Sequence, residues 1–481
     1  MNWRTVLRLL GVLLAFYSLS FLPSLGVSLY YGDGEAAHFA EAMASTAAVG
    51  LAIWLPVRRD RGELKVRDGF LVVTLFWAVL GVVGAIPFIL GLHLTLTDAI
   101  FEAVSGFSTT GATVIVGLDG LPRSILYHRQ QIQWLGGMGV VVLALAILPV
   151  LGIGGMQLYR AEASGITKDD KLTPRIAHTA RALWAIYVGL TVACGIAYWL
   201  AGMSAFDAIG HAYATVATAG FSTHDASIAH FSSPAIETIC IVFMLLGGVN
   251  FAIHFLVWRR RNPLAYVRDP ETRIYVAIFV VATVFVAASL ALTRDDLGGD
   301  AALRLSVFQV ASVMTSTGFT TVDFAAWPLH LPMTLVLLSF VGGCAGSTAG
   351  GIKVVRVVLL AKMGLRQMAV LVHTRSVALI KLGQRRVPEE VVYAVLGYYA
   401  LYIVTALALM MGFLAAGLDT VSSLGAVIAS INLLGPGLGE VASNFAGVDA
   451  TVKWLAVFGM LVGRLEVFPL LVLFTPEFWR H

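Results

Sequence analysis

The sequence predicts an all-α polytopic membrane protein, made of a two-helix unit followed by four repeats of span, re-entrant loop and span. Three observations predict this fold class. Of the 481 residues, 58% are hydrophobic and only 12% are charged, whereas a soluble domain carries about 25% charged residues because its surface faces water. Apolar runs of about twenty residues, the length that crosses a bilayer, recur along the chain. Four segments between these runs share one pattern.

The same composition excludes several other classes of protein. Cys194, Cys240 and Cys344 each lie inside an apolar run, so they do not form the framework of a secreted disulfide-rich domain. The high apolar content excludes disorder. The net charge of +4 is too small to indicate a nucleic-acid partner, and we expect membrane lipid to cover most of the surface.

Eight apolar runs are long enough to cross about 30 Å of hydrocarbon as helices. They cover residues 9–30, 38–57, 70–92, 131–151, 182–202, 235–258, 274–293 and 452–475. Two further segments, 330–372 and 391–416, are long or interrupted. Arg4 and Arg8 precede the first run and no small-residue cleavage site follows it, so we interpret this run as a retained helix.

Lysine and arginine mark the cytoplasmic side of the chain, because short cytoplasmic loops are enriched in them. With a cytoplasmic N-terminus, the inside positions are Arg58, Arg59, Arg61, Lys65, Arg67, Arg160, Lys168, Lys171, Arg175, Arg181, Arg259, Arg260, Arg261, Arg268, Arg273, Lys362, Arg366, Arg375, Lys381, Arg385 and Arg386. The outside positions are only Arg123, Arg129, Arg294, Arg304 and Lys453. This bias predicts that both termini are cytoplasmic. No loop has room for a separate catalytic domain, so we do not expect an enzyme.

The four repeated segments each contain a short apolar helix, a small polar cluster and a glycine. They cover residues 98–114, 207–224, 305–322 and 422–439, and they align on Gly111, Gly220, Gly318 and Gly435. In this alignment Asp98 and Asp207 are of the right type and position to cap a helix N-terminus. Three of the four repeats carry a carboxylate five residues after the glycine, at Asp225, Asp323 and Glu440.

Each segment is too short to span the membrane and lies between two spans, so we expect it to enter and leave from the outer side. Its helix C-terminus carries about half a negative charge and would point at the membrane centre. Four such ends around one pore favour a dehydrated cation, with glycine backbone directing carbonyl oxygens toward it. The outer carboxylates would concentrate cations in a vestibule. For a single copy, an ordinary turn between helices explains the same residues, but four copies in register favour the pore.

A resemblance to a known family is carried by the motifs STTGAT (108–113), ATAGFST (217–223), TSTGFTT (315–321) and NLLGPGLG (432–439). They resemble the four filter loops of the TrkH/TrkG/KtrB superfamily of potassium transporters. The resemblance covers the whole chain, and the extra N-terminal helix pair is similar to TrkH and not to KtrB. It implies potassium uptake through the bacterial inner membrane, a homodimer, and gating by a cytoplasmic RCK ring that binds nucleotides. K+ would be the transported ion, with no organic cofactor in this chain.

By this resemblance the potassium filter consists of Thr109, Thr110, Gly111, Ala219, Gly220, Thr317, Gly318, Leu434 and Gly435. The loops depart from the TVGYG signature of potassium channels, because each keeps a single glycine. The fourth has apolar Leu433 and Leu434, followed by Pro436. Fewer carbonyl rings are then complete, so we expect weaker selection of potassium over sodium than in a potassium channel.

A glycine-rich segment interrupts the apolar run after the third filter loop. Residues 342–352 contain five glycines, and each costs a helix about 1 kcal/mol relative to alanine, so we expect the helix to unwind there. The resemblance assigns this segment as an intramembrane gating loop, with gate residues Gly346, Ser347, Thr348, Ala349 and Gly350. The alternative is a close helix crossing through small residues. Lys353 is either a second barrier or the start of the cytoplasmic end.

Arg464 lies in the middle of the last apolar run, about ten residues from either end. A charge at that depth costs at least about 2.5 kcal/mol, so it should face the protein interior. In the resembled family, an arginine on the last pore helix is an electrostatic barrier below the filter. The alternative is a buried salt bridge with Glu466 or another carboxylate.

These features divide the chain into an N-terminal two-helix unit and four pore repeats. The unit covers residues 1–66, and the repeats cover 67–160, 161–265, 266–386 (with the gating loop) and 387–481. The function predicted is a gated potassium conduit driven by the membrane potential, with symport along an ion gradient as an open possibility. One alternative is a sodium-coupled or poorly selective monovalent-cation transporter of KtrB type, and another is a secondary carrier with broken helices. A membrane enzyme would need a cluster at depth, and His211, His224, His230 and His373 lie in separate segments.

Overall fold

A computed structural model describes residues 1–60, 62, 65–146, 172–294, 296–373 and 379–480. Six of its helices are long and apolar enough to cross a membrane, and two bent helix pairs bring the number of candidate spans to eight. The protein is mostly helical, as predicted. Several predicted positions lie outside the described residues: Arg61, Arg160, Lys168, Lys171, Arg375 and the end of the run 131–151.

The N-terminal unit is a packed helical hairpin. It consists of α1 (Trp3–Tyr17), α2 (Phe21–Tyr31) and α3 (Ala36–Val57). A Cβ added to Gly11 would lie 2.8 Å from the carbonyl oxygen of Gly50, and one added to Gly50 would lie 2.6 Å from the backbone nitrogen of Ala15. The two backbones therefore meet at a contact that only glycine permits.

Four similar units follow, each with an outer helix, a short helix and an inner helix. The first has α4 (Val66–Gly84), α5 (Ile86–Leu92), α6 (Leu96–Phe107) and α7 (Arg123–Ala146). The second has α8 (Leu172–Leu200), α9 (Ala205–Val216), α10 (Pro234–Gly247), α11 (Phe251–Arg260) and α12 (Leu264–Arg268). The third has α13 (Pro270–Thr293), α14 (Gly299–Met314), α15 (His330–Val341) and α16 (Val354–Val372). The fourth has α17 (Glu389–Ala415), α18 (Thr420–Ile431), α19 (Ala450–Arg464), α20 (Phe468–Leu471) and α21 (Pro476–Trp479).

The short helices begin before the segments that the sequence predicts: α6, α9 and α18 by two residues and α14 by six. Thr95 and Ser204 are the N-caps of α6 and α9, and their side chains accept hydrogen bonds from the backbone N–H groups of Asp98 and Asp207. The two aspartates were expected to be the caps themselves. They instead occupy the first turn, where a carboxylate stabilises the positive end of the helix dipole.

Two inner helices that the sequence predicts as continuous spans are broken. α10 and α11 meet at 97°, and α19 and the turn of helix that follows it meet at 114°. Each of the predicted spans 235–258 and 452–475 is thus a bent helix pair, since hydropathy reports the length of an apolar run and not its direction. The third inner helix stops at Val341 and resumes at Val354, so residues 342–353 are unwound as their glycine content predicts.

A small hairpin is the one departure from purely helical structure among the described residues. β1 (Lys381–Leu382) pairs antiparallel with β2 (Arg385–Arg386). It follows α16, and the side chain of Lys362 on that helix donates a hydrogen bond to the carbonyl oxygen of Lys381. The basic segment after α16 is thus folded back against its own helix.

Candidate functional site

The four glycine loops share one backbone conformation. Each has a residue with φ between +50° and +59° two positions before the glycine, and the glycine itself has φ between +78° and +88°; the former residues are Thr109, Thr218, Ser316 and Leu433. The residue between them has negative φ, so the sign of φ alternates. Such alternation puts successive N–H groups on one side of the chain, and the carbonyl oxygens then lie on the other.

Hydrogen bonds show where those N–H groups point. The N–H groups of Thr110, Ala219, Thr317 and Leu434 donate to carbonyl oxygens in the last turn of their own short helices, at 2.8–3.1 Å. This leaves the carbonyl side of each loop facing away from its helix.

The four loops meet in a closed ring. A Cβ added to Gly111 would lie 2.2 Å from Ala219 O, and one added to Gly220 would lie 2.0 Å from Thr317 O. One added to Gly318 would lie 2.1 Å from Leu434 O, and one added to Gly435 would lie 2.7 Å from Thr110 O. Every glycine therefore packs against the residue before the glycine of the next repeat, and the fourth repeat contacts the first.

This ring brings together eight of the nine residues that the sequence predicted for the filter, and the ninth, Thr109, directly precedes one of them. Thr109, Thr110 and Thr317 are at most 1% exposed. Ala219 differs from the others, because its carbonyl oxygen accepts a hydrogen bond of 2.7 Å from Gln133 Nε2, while Gln133 Oε1 accepts one from the backbone of Phe221. Gln133 was not singled out from the sequence, since a lone glutamine in an apolar run gives no signal about its partner.

A buried ion pair braces the first two loops just outside the ring. Arg129 and Glu102 are 1% and 0% exposed and lie 2.8 Å apart. Glu102 also accepts hydrogen bonds from Thr113 Oγ1 and the backbone of Val114, while Arg129 donates to the carbonyl oxygen of Ser222. The sequence placed Arg129 only as an outside charge, and its pairing depends on the assembled repeats.

The three predicted vestibule carboxylates, Asp225, Asp323 and Glu440, are exposed on the outer loops. Asp225 accepts hydrogen bonds from the backbone N–H groups of Gly117 and Leu118, at 3.1 and 2.9 Å. It therefore connects the second loop to the first. Asp323 caps a short 3-10 turn by accepting from Ala325 N.

The unwound segment 342–353 lies directly against the inner ends of the short helices. Gly350 N donates to Ser316 Oγ, and a Cβ on Gly350 would lie 2.3 Å from the carbonyl oxygen of Asn432. Thr348 Oγ1 donates to the carbonyl oxygens of Val216 and Gly247, each at 3.1 Å. The segment is unwound between α15 and α16 and makes close backbone contacts, so the alternative of a helix crossing through small residues does not describe it.

One carboxylate connects the first half of this segment to the start of α16. Glu271, in the first turn of α13, accepts hydrogen bonds from the backbone N–H groups of Ala345 (2.7 Å) and Val355 (3.2 Å). The break between α10 and α11 contacts the residues on either side of Ala345, since Cys344 N donates to Gly248 O and Phe251 N donates to Gly346 O. Gly247 is the last residue of α10 and Gly248 is its C-cap, so the break begins at these two glycines.

Arg464 extends from the end of α19 to the unwound segment. Its Nη1 donates to the carbonyl oxygen of Thr348 and its Nη2 to that of Gly136, each at 3.1 Å. Among the described residues Glu466 forms its ion pair with Arg356, so the suggested salt bridge between Arg464 and Glu466 is not made. Lys353 is buried and its ammonium group donates to the carbonyl oxygen of Ala349.

The histidines are less scattered than the sequence indicated. His211, His224 and His230 all contact the ring of Phe231, so the statement that they lie in unrelated segments was wrong for these three. His224 and His230 lie in the loop that follows the second filter glycine, and His211 lies buried on α9.

Comparisons with known proteins agree with this arrangement. Residues 35–481 match the family model TrkH, described as a cation transport protein. The chain is 50% identical to "Trk system potassium uptake protein TrkH" of Escherichia coli (strain K12) over the whole of both chains. It is 39% identical to "Trk system potassium uptake protein TrkG" of the same strain, over 99% of each. The crystal structure of the potassium transporter TrkH from Vibrio parahaemolyticus has a TM-score of 0.94 at 47% identity, and the alignment covers all of both chains.

Proposed function

Because this chain belongs to the TrkH family of cation transport proteins, we propose that it takes up potassium across the bacterial inner membrane, with both termini in the cytoplasm. It is a membrane transport protein and not an enzyme, as its relatives are. The observation that carries the proposal is the closed ring of four loops. The lysine and arginine bias of the loops supports the orientation.

The ring is proposed as a filter of backbone carbonyl oxygens. The N–H groups of Thr110, Ala219, Thr317 and Leu434 are satisfied by their own short helices, so the opposite, carbonyl side of each loop would replace the hydration shell of an ion. Thr110, Thr317 and Leu434 would each supply an oxygen at equivalent positions. The oxygen of Ala219 is shared with Gln133, which supports a less symmetric filter than in a potassium channel.

A poorly selective or sodium-coupled monovalent-cation transporter is the second candidate. The single glycine of each loop and the bonded Ala219 oxygen favour it. The two broken inner helices are also features of secondary carriers, but all four loops contribute to one ring, which favours a conduit.

The segment 342–353 is proposed as the gate below this filter. Its support is the position of Gly350 under Ser316 and Asn432, and the contact of Arg464 with Thr348. A cytoplasmic RCK ring would act on it through α16 and the basic segment after it, and the transporter would act as a homodimer.

Ion flux into liposomes tests the proposed function. We expect rapid potassium and rubidium uptake by the reconstituted chain, slower sodium uptake, and exclusion of choline. The reason is that only ions able to shed water onto the carbonyl ring can pass. Protein-free vesicles are the control, and the measurement is valinomycin-independent 86Rb+ accumulation. Equal sodium and rubidium rates would favour the second candidate, and saturable flux of a neutral solute would contradict a conduit.

Substituting Arg464→Ala is expected to speed rubidium uptake by about tenfold or more. A positive charge near the path raises the energy barrier to a passing cation by several kcal/mol at protein dielectric values. Each 1.4 kcal/mol corresponds to a factor of ten. The substitution also removes the hydrogen bond to Thr348. Arg260→Ala, at an exposed arginine, is the matched control. Unchanged flux together with lower expression would assign Arg464 a purely structural role.

A further inference from the structure

Three side chains with metal-binding atoms meet on the outer loops of the first two repeats. Asp119 lies in the 3-10 turn Leu118–Gly120 after the first filter loop, while His224 and His230 follow the second loop. One donor atom from each residue lies within 4.8 Å of the other two. The rings of His224 and His230 are stacked, with centroids 3.5 Å apart and 3° between their planes.

We propose that Asp119, His224 and His230 bind a divalent transition-metal ion of the zinc class, which joins the outer loops of the first and second repeats. Two imidazole nitrogens and one carboxylate oxygen suit Zn²⁺ and neighbouring transition metals, whereas potassium, magnesium and calcium prefer oxygen ligands alone. A three-ligand site leaves the fourth tetrahedral position to water.

The three side chains are accessible to solvent, and their donor atoms can move closer together. The side chain of Asp119 is 54% exposed and that of His224 is 18% exposed, and His230 is also exposed. Ligands at 2.0–2.1 Å from a tetrahedral ion lie about 3.4 Å from one another. The donor atoms lie within 4.8 Å of one another, so they need to approach by at most about 1.4 Å, together with a rotation of one stacked ring.

The surroundings hold the ligands in place and keep the carboxylate charged. Asp225 fixes the turn that carries Asp119, through its hydrogen bonds to Gly117 and Leu118. The contact with His224 holds the pKa of Asp119 below its ordinary value. On the other side of the ring, His224 Nε2 is buried without a hydrogen-bond partner among the described residues and lies 3.5 Å from Asp207 Oδ1. A carboxylate beside the second nitrogen is the usual outer partner of a metal-binding histidine.

Zinc binding to the purified full-length chain, prepared without a polyhistidine tag, tests this proposal. Isothermal titration with ZnCl₂ is expected to give one saturable site per chain, unaffected by excess MgCl₂. His230→Ala should weaken zinc affinity by at least about tenfold, because even outer partners of a metal ligand contribute that much. His330→Ala is the matched control, since His330 is an exposed histidine bonded to Ser289 on other outer residues; it should leave the affinity unchanged.

Asp119→Asn is a second ligand variant that replaces one exposed oxygen and is not expected to disturb folding. It should weaken zinc binding as His230→Ala does, which separates loss of a ligand from misfolding. The absence of a saturable site at millimolar zinc, or equal affinities in the unsubstituted chain and both ligand variants, would overturn the proposal. The measurement needs no ion flux, so its outcome is independent of the proposed transport function.

Discussion

Substituting Gly220→Ala is expected to reduce rubidium uptake to the level of protein-free vesicles. The new methyl group would lie 2.0 Å from the carbonyl oxygen of Thr317. The methyl is attached directly to the backbone of one loop and the oxygen belongs to the backbone of the next, so the clash can be relieved only by opening the ring. The backbone angle φ of +78° adds a cost of about 1–2 kcal/mol for any residue with a Cβ. The measurement is 86Rb+ accumulation in liposomes with equal amounts of reconstituted protein.

The matched control is Gly189→Ala, a position on α8 where an added Cβ meets no atom within 4 Å. We expect it to transport normally. The ring also predicts a graded series, since Gly435 has the widest gap, 2.7 Å, to its neighbouring oxygen. Gly435→Ala should therefore keep more activity than the same change at Gly111, Gly220 or Gly318. Normal uptake by Gly220→Ala, with the protein correctly folded on size-exclusion chromatography, would contradict the ring as the path of the ion.

Substituting Arg129→Met is expected to destabilise the folded protein by about 3–5 kcal/mol, because it leaves the carboxylate of Glu102 buried without its partner. The loss should appear as a lower unfolding midpoint in detergent. Loosening of the first loop should follow, since Glu102 also holds Thr113 and Val114.

Two variants separate this effect from a general effect of losing an arginine. Arg294 pairs with Asp296 on the surface at 2.8 Å, where ion pairs contribute little, so Arg294→Met should leave the midpoint unchanged. The double change Arg129→Met with Glu102→Met removes both charges, and buried pairs replaced by apolar residues often regain stability. If the double variant is no more stable than Arg129→Met alone, the cost lies in packing and not in the unpaired charge.

The sequence was sufficient to predict those features that repeat along the chain. The spans follow from apolar length, and the filter glycines follow from four segments in register, because a left-handed residue against a neighbouring backbone admits only glycine. The unwinding at 342–353 follows from glycine content. Gly342, Gly346 and Gly351 adopt φ between +70° and +74°, which a helix does not.

Features that depend on contacts between repeats could not be predicted. The hydrogen-bond partners of Glu102, Gln133 and Arg464 come from other segments of the chain. A single sequence does not show which distant segments lie close together in the fold. An acidic residue in the first turn of a helix, such as Glu271, is expected there because it stabilises the helix dipole. Its position therefore gave no sign that it also accepts hydrogen bonds from Ala345 and Val355. The breaks after Gly247 and Arg464 were missed because the hydropathy of each run continues across them.

The rigid connection below the loop ring has a mechanical consequence. α16 begins one residue after the unwound segment and has 19 residues, which corresponds to a rod about 28 Å long. Its first turn is fastened to the last broken helix through Arg356 and Glu466. A displacement at the far end of α16 would therefore be transmitted along the helix to Lys353, where the unwound segment ends.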